Sequence, residues 1–322
     1  MKATRHIRPQ VLLLGNGIIR AYSSLAMSWK DMLRRIGTDH SIPDDLNIPM
    51  PLEIVVRTGN HVDVVLRDHS RELYGAVETD DFGYVLRELL GMGFDHILTT
   101  NYSYEMEQAA AGAVTLSDEE LAAMRRQTGS VSRSKHPSLL FTYNYAECGD
   151  CPNRIWHIHG EARDPDSIVL GHQFYGNLLS RCRDYLTQCG GEDMILSRDK
   201  EIRSWIDAFM LGDIYTVGFG YDFSEMDLWW LLDCKKSQDR HTGGSFYYYR
   251  PGKQEAFDVK SVLLRDYGAK VVNFGEREPD EGVNEYYRGF YLRCIDDIRH
   301  KMKAAENAGF LDSSAAGIAS GV

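Results

Sequence analysis

Three things are scarce in this chain of 322 residues, and each scarcity closes off a class of protein. Long apolar runs are missing. The stretch Val11-Leu12-Leu13-Leu14 is far too short for a membrane span or a signal-peptide core, and no other run approaches membrane length. Positive charge is in deficit, with 36 Lys and Arg against 47 Asp and Glu and a formal net charge of −11. That balance argues against direct nucleic-acid binding or adhesion to an acidic membrane, since both need a dense cationic face. Cysteine is sparse and scattered: Cys148, Cys151, Cys182, Cys189, Cys234 and Cys294 form no disulfide framework. Reduced thiols in a cytoplasmic protein are the simplest reading. No internal repeat is visible either.

What remains is ordinary globular material, 43% hydrophobic and 26% charged, enough to bury a full core. Short apolar runs rich in β-formers end in Gly, Asn or His. Val11 to Leu14 leads into Gly15-Asn16-Gly17, and His96-Ile-Leu-Thr-Thr100 leads into Asn101. Ile155-Trp-His-Ile158 leads into His159-Gly160, and Ile214-Tyr-Thr-Val217 into Gly218-Phe219-Gly220. Ser245 to Tyr249 and Lys270 to Phe274 complete the series. Long helical stretches between short strands predict crossover connections. The expected fold is therefore α/β, a Rossmann-like, largely parallel six-stranded sheet flanked by helices. One domain over 1–322 is expected, with a helical insertion at about 20–95 and a smaller one at about 112–154. Helices are predicted over 22–36, 82–92, 117–126 (with Ser117 and Glu120 as a capping box), 201–211 and 285–305, with loop at 43–51 and a mobile tail at 313–322.

In such sheets ligands sit beyond the C-terminal ends of the strands, so the polar strand ends are the candidates for chemistry. Gly15-Asn16-Gly17 could let backbone N–H groups approach a pyrophosphate, or could be a purely structural turn. Asn101 would place an amide, both donor and acceptor, at the crevice, or cap the next helix. Strand alternation predicts that His157 and His159 project to one face, with only His159 reaching the crevice. There it could serve as a general base or as a hydrogen-bonded structural histidine. Asp227, after the Gly218/Gly220 turn, could bind a hydroxyl or cap a helix through Trp229. Cys148-Gly-Asp-Cys151 has zinc-knuckle spacing but lacks a second pair to close a site, so no metal is expected.

The order of these motifs resembles the Sir2-like family: a glycine turn, Thr-Thr-Asn-Tyr, His-Gly, then Gly-Phe-Gly with a following Asp. It is most similar to the bacterial branch of NAD⁺ hydrolases found in antiphage defence, where Asn101 and Glu107 match and the segment from Ser167 to Leu170, with Tyr175 beyond, is also alike. The resemblance implies that Gly15, Asn16, Gly17, Thr100, Gly218, Gly220 and Asp227 bind NAD⁺ as a substrate. It implies catalytic roles for Asn101, which would hold the nicotinamide ribose, and for His159, which would act as base. It further implies a homo-oligomer and a partner such as a ring ATPase or another defence protein. Three departures stand out, and one is the insertion between the first two strands, which differs from the family pattern. Ser103 occupies the place of the usual Asp, and the four-cysteine module that protein-deacetylating relatives carry after His-Gly is missing. Hydrolysis by water is therefore expected ahead of deacylation or ADP-ribosyl transfer. A non-catalytic NAD⁺ or ADP-ribose sensor is the reading from a different class.

Overall fold

In the computed structural model β1 (Gln10–Leu14) is buried along its whole length, as an apolar strand must be when helices cover both faces of a sheet. Residues 8–22, 80–113, 115–128, 139–190, 201–238, 242–249, 254–274 and 282–318 are described. Most of the helix expected at 22–36, and the loop at 43–51, lie outside them. After β1 come α1 (Gly17–Tyr22), α2 (Asp80–Leu90), β2 (His96–Thr99), α3 (Glu105–Ala111) and α4 (Asp118–Met124). A hairpin region follows, with β3 (Arg125–Gln127), β4 (Thr142–Cys148) and β5 (Cys151–His157). The second half holds α5 (His172–Gly190), α6 (Trp205–Leu211), β6 (Asp213–Val217), α7 (Met226–Ser237), β7 (Ser245–Tyr248), α8 (Gln254–Asp266), β8 (Ala269–Val272) and α9 (Val283–Ile318).

The eight strands lie in the order β3-β4-β5-β2-β1-β6-β7-β8. The six predicted strands are the parallel ones, β5-β2-β1-β6-β7-β8. Counted along the chain they run third, second, first, fourth, fifth, sixth, which is the Rossmann order with its switch point between β1 and β6. The sheet has two strands more than expected: β3 and β4 pair antiparallel and extend the β5 edge. Cys148 and Cys151 face each other across the two-residue turn of this hairpin. Gly149, at φ 59°, supplies the positive φ that such a turn requires. The Cys-x-x-Cys spacing spans this tight turn.

Two apolar layers cover the sheet. On one face Leu13, Leu98, Trp156 and Ile214 meet α5, α6 and α7. On the other Leu12, Ile97, Ile155 and Val217 meet α1, α2 and α9. In α5 the buried residues Leu178, Cys182 and Leu186 recur at near-helical spacing and give that helix its inward stripe. Ser117 makes the predicted capping box with Glu120. α9 continues past the expected end at 305, and residues 313–318 are helical.

All seven residues of α6 are buried, so its terminal backbone groups need partners inside the protein. Ser204 and Asp207 form a capping box at the N-terminus. At the other end the buried Lys235 of α7 donates to the carbonyls of Phe209, Met210 and Gly212 at 2.7, 3.0 and 2.7 Å. Burial pulls the Lys235 ammonium down to about 7, with the Asp213 charge opposing; three N–H bonds on three carbonyls favour the charged form. Lys235→Met should lower unfolding stability by about 2–4 kcal/mol, because those carbonyls lose their donor. Urea unfolding of the two proteins measures this directly, and an unchanged midpoint would remove Lys235 from the account.

Candidate functional site

The loops that leave β1 and β6 meet at the switch point, backbone against backbone. Gly15 N–H donates to Val217 O at 3.1 Å and Gly17 N–H to Gly218 O at 2.7 Å. A Cβ on Gly17 would lie 2.6 Å from that same oxygen, and Gly218 adopts φ 65°. Two amides expected at a phosphate are therefore already bonded within the protein. Here the glycines serve close approach of the two turns, while Gly220 borders open space. Asn16 is half-buried at the start of α1.

β2 ends at Thr99, and the buried Thr100 and Asn101 follow it. Thr100 N–H donates to Leu14 O at 3.4 Å, and Asn101 N–H to Thr99 Oγ1 at 3.1 Å. Asn101 does not cap α3, whose N-cap is Tyr104. Instead Asn101 Nδ2 donates to Glu105 Oε1 at 2.6 Å, while Ser103 Oγ donates to Glu105 Oε2 at 2.5 Å. Burial raises the Glu105 pKa, and these two hydrogen bonds oppose the rise.

The two histidines do not share a face. β5 ends at His157, where a turn closes with Gly160 N–H donating to His157 O at 3.1 Å, so strand alternation stops before His159. His157 turns towards α3. Its Nδ1–H donates to the Asn101 carbonyl at 2.8 Å and its Nε2 lies 3.0 Å from Glu107 Oε1, which also accepts from Asn144 Nδ2 at 2.8 Å. A carbonyl and a carboxylate both accept, so the ring is held as imidazolium. Burial works against that charge, but Glu107 outweighs it and His157 rises to about 9.

His159 turns the other way, towards α5 and α7, and is 0% exposed. Gly160, at φ 99°, carries the chain onward from this turn, and a Cβ there would strike Ser167 O at 2.4 Å. His159 Nε2 lies 3.0 Å from Asp227 Oδ2, and Nδ1 lies 3.5 Å from Glu225 Oε2. The Tyr175 hydroxyl donates to the same Glu225 oxygen at 2.9 Å, and its ring meets His159 edge-on. Burial opposes the His159 charge, yet Asp227 and Glu225 leave its pKa raised. Burial pushes Glu225 up to about 7, against the His159 charge and with that of Asp227. Asp227 therefore grips His159 rather than capping α7, whose N-cap is Glu225.

Ligand atoms of His159, Glu225 and Asp227 lie within 4.8 Å of one another, a spacing that suits a small cation. The 3.0 Å contact is also a hydrogen bond, while His159 Nδ1 and Asp227 Oδ1 are buried without a hydrogen-bond partner among the described residues. Tyr102 links the two halves of the site. Its hydroxyl donates to Val169 O at 3.0 Å, and burial followed by the Glu225 charge raises its pKa. Asn101 is thus joined directly to His157 and Glu105, and His159 to Asp227. Sequence reasoning missed Glu105 and Glu225. Their only signal was an acid four residues after Asn101 and another two residues before Asp227.

Fold and site together define a Rossmann-type α/β protein whose buried amide, imidazole and carboxylate groups gather at the strand ends, where such sheets bind nucleotides. The sequence profile described as "SIR2-like domain" matches residues 95–270, more than half of the chain. The chain belongs to this SIR2-like family, whose domains bind NAD⁺, and its activity falls within NAD⁺-related chemistry. Comparison with curated proteins returned no match. Among the described residues no helix is long and apolar enough to cross a membrane.

The His157 pair makes stability depend on pH. Its folded pKa of about 9 lies above the ordinary 6.5, so protonated His157 stabilises the fold fully below the lower value and loses that effect as pH rises through the higher. The melting-temperature gap between wild type and His157→Gln should be widest below pH 6.5 and shrink towards pH 9. A gap independent of pH would contradict the imidazolium assignment.

Proposed function

We propose that this protein hydrolyses NAD⁺ at the nicotinamide–ribose bond, giving nicotinamide and ADP-ribose. The observation that carries the reading is the set of buried acids around Asn101 and His159 in a SIR2-like fold. Glu105, Glu107, Glu225 and Asp227 are all buried there, the first on Asn101 and the other three against the two histidines. Fixed negative charge suits this reaction, because positive charge develops on the ribose as the bond breaks. The C1′–N bond cleaves with its electron pair passing to the nicotinamide ring, which departs neutral. Water adds to C1′, and its proton passes to the His159–Glu225 pair. Glu225, pushed up to about 7, titrates where such an acceptor is most effective.

In this reading Asn101 holds the nicotinamide ribose and orients the water. Asn16, Thr100, Gly218 and Gly220 line the nucleotide, with Gly15 and Gly17 setting the turn that admits it. Asp227 belongs with His159 rather than with the adenosine end. A cytoplasmic NAD⁺-depleting role in antiphage defence, a homo-oligomer and a partner ATPase accompany the reading through the family resemblance. Complete burial of His159 favours one second reading, an NAD⁺- or ADP-ribose-binding sensor without turnover.

Purified wild-type protein should release nicotinamide from NAD⁺ without any acylated peptide. Asn101→Ala and His159→Ala should each lower the rate by roughly a hundred-fold or more. Undiminished release in both variants would sink the site assignment. Binding of NAD⁺ with no release across protein concentrations would favour the sensor.

A further inference from the structure

We propose that Glu105 is the positioning residue of this site, fixing the side-chain conformation and amide sense of Asn101. The inference rests on the hydrolase reading above. An asparagine amide presents a donor on one side and an acceptor on the other, and the two are nearly the same shape. Something must decide which faces the ribose and water. The carboxylate of Glu105 does so, because it only accepts: Oε1 takes Asn101 Nδ2 at 2.6 Å and thereby turns Oδ1 away. Ser103 Oγ, donating to Oε2 at 2.5 Å, pins the carboxylate from its other side.

The neighbouring acids are engaged elsewhere. Glu107 meets His157 and Asn144, Glu161 meets Arg125, and Glu225 and Asp227 meet His159. The side chains that Glu105 bonds are an amide and a hydroxyl, both neutral, although the residue is only 3% exposed. A carboxylate buried on neutral partners is a poor structural choice, since burial opposes its charge and an apolar side chain would pack without that cost. Its place in the first turn of α3 offers some dipole stabilisation, which would not require contact with Asn101. The short contact with Asn101 points instead to a role through that residue.

The test measures kcat and KM for nicotinamide release from NAD⁺, with melting temperatures alongside. Glu105→Ala should lower kcat on the order of a hundred-fold, because the amide loses its orientation, and leave KM within about three-fold. Glu105→Gln should recover most of the rate, as its Oε1 still accepts from Asn101 while Ser103 reverses its hydroxyl. A carboxylate supplied from the other side of the short contact, in Ser103→Asp/Glu105→Ala, should recover at least about ten-fold over Glu105→Ala. In an Asn101→Ala background, Glu105→Ala should add almost nothing, which a purely structural role would not produce. Should Glu105→Ala not fold, Glu105→Met takes its place. Wild-type kcat in a folded Glu105→Ala or Glu105→Met protein overturns the proposal while Asn101→Ala remains impaired. So does failure of both the Gln variant and the relocated carboxylate, or full additivity with Asn101→Ala. Absence of release from wild type overturns the hydrolase reading itself, and this proposal with it.

Discussion

A carboxylate taken out of water must find a donor or a cation, and the strand ends of this protein are organised around that requirement. His157 and His159 stand two residues apart, yet one reaches Glu107 on α3 and the other Asp227 at the start of α7. One short stretch at the end of β5 therefore fastens helices on opposite faces of the sheet. Removing either imidazole would leave buried charge without its partner, a loss of about 3–5 kcal/mol in comparable pairs. Tyr175 and Asn144 complete the two clusters, each satisfying an acid oxygen that its histidine shares.

The same arrangement gives the site its electrostatic character. Acids outnumber cations in the buried shell, so a substrate that carries or develops positive charge is favoured there. In the proposed hydrolysis the nicotinamide of NAD⁺ is such a group, and its departure would spread positive charge onto the ribose. Backbone contact between the β1 and β6 turns sets how close the two sides of the crevice stand. Gly17 and Gly218 touch directly, so no ligand enters between these two turns.

Much of the scaffold was legible because its strands are short, apolar and buried on both faces. Val11 to Leu14 and Ile214 to Val217 admit no other placement in a covered sheet. The edge hairpin was not legible. In β4 the buried Asn144 and Ala146 alternate with more exposed neighbours, a polar half-buried pattern that carries little hydrophobic signal, and β3 spans only Arg125, Arg126 and Gln127. Gly149, between Cys148 and Cys151, was the local sign of the hairpin turn.

The sequence by itself determined the parallel strands, some of the helices between them and the polar residues that end each strand, because local periodicity and glycine placement carry those features; α3, α5 and α8 were not among the helices it marked. It also marked Asn101, His159 and Asp227 as the side chains to examine. Only the tertiary structure decided what each of them touches. Alternation predicts direction inside a strand and fails two residues past its end, where the turn closed by Gly160 on His157 leaves His159 facing an acid 68 residues away. Contacts of that range depend on how two loops pack, and no local pattern encodes them.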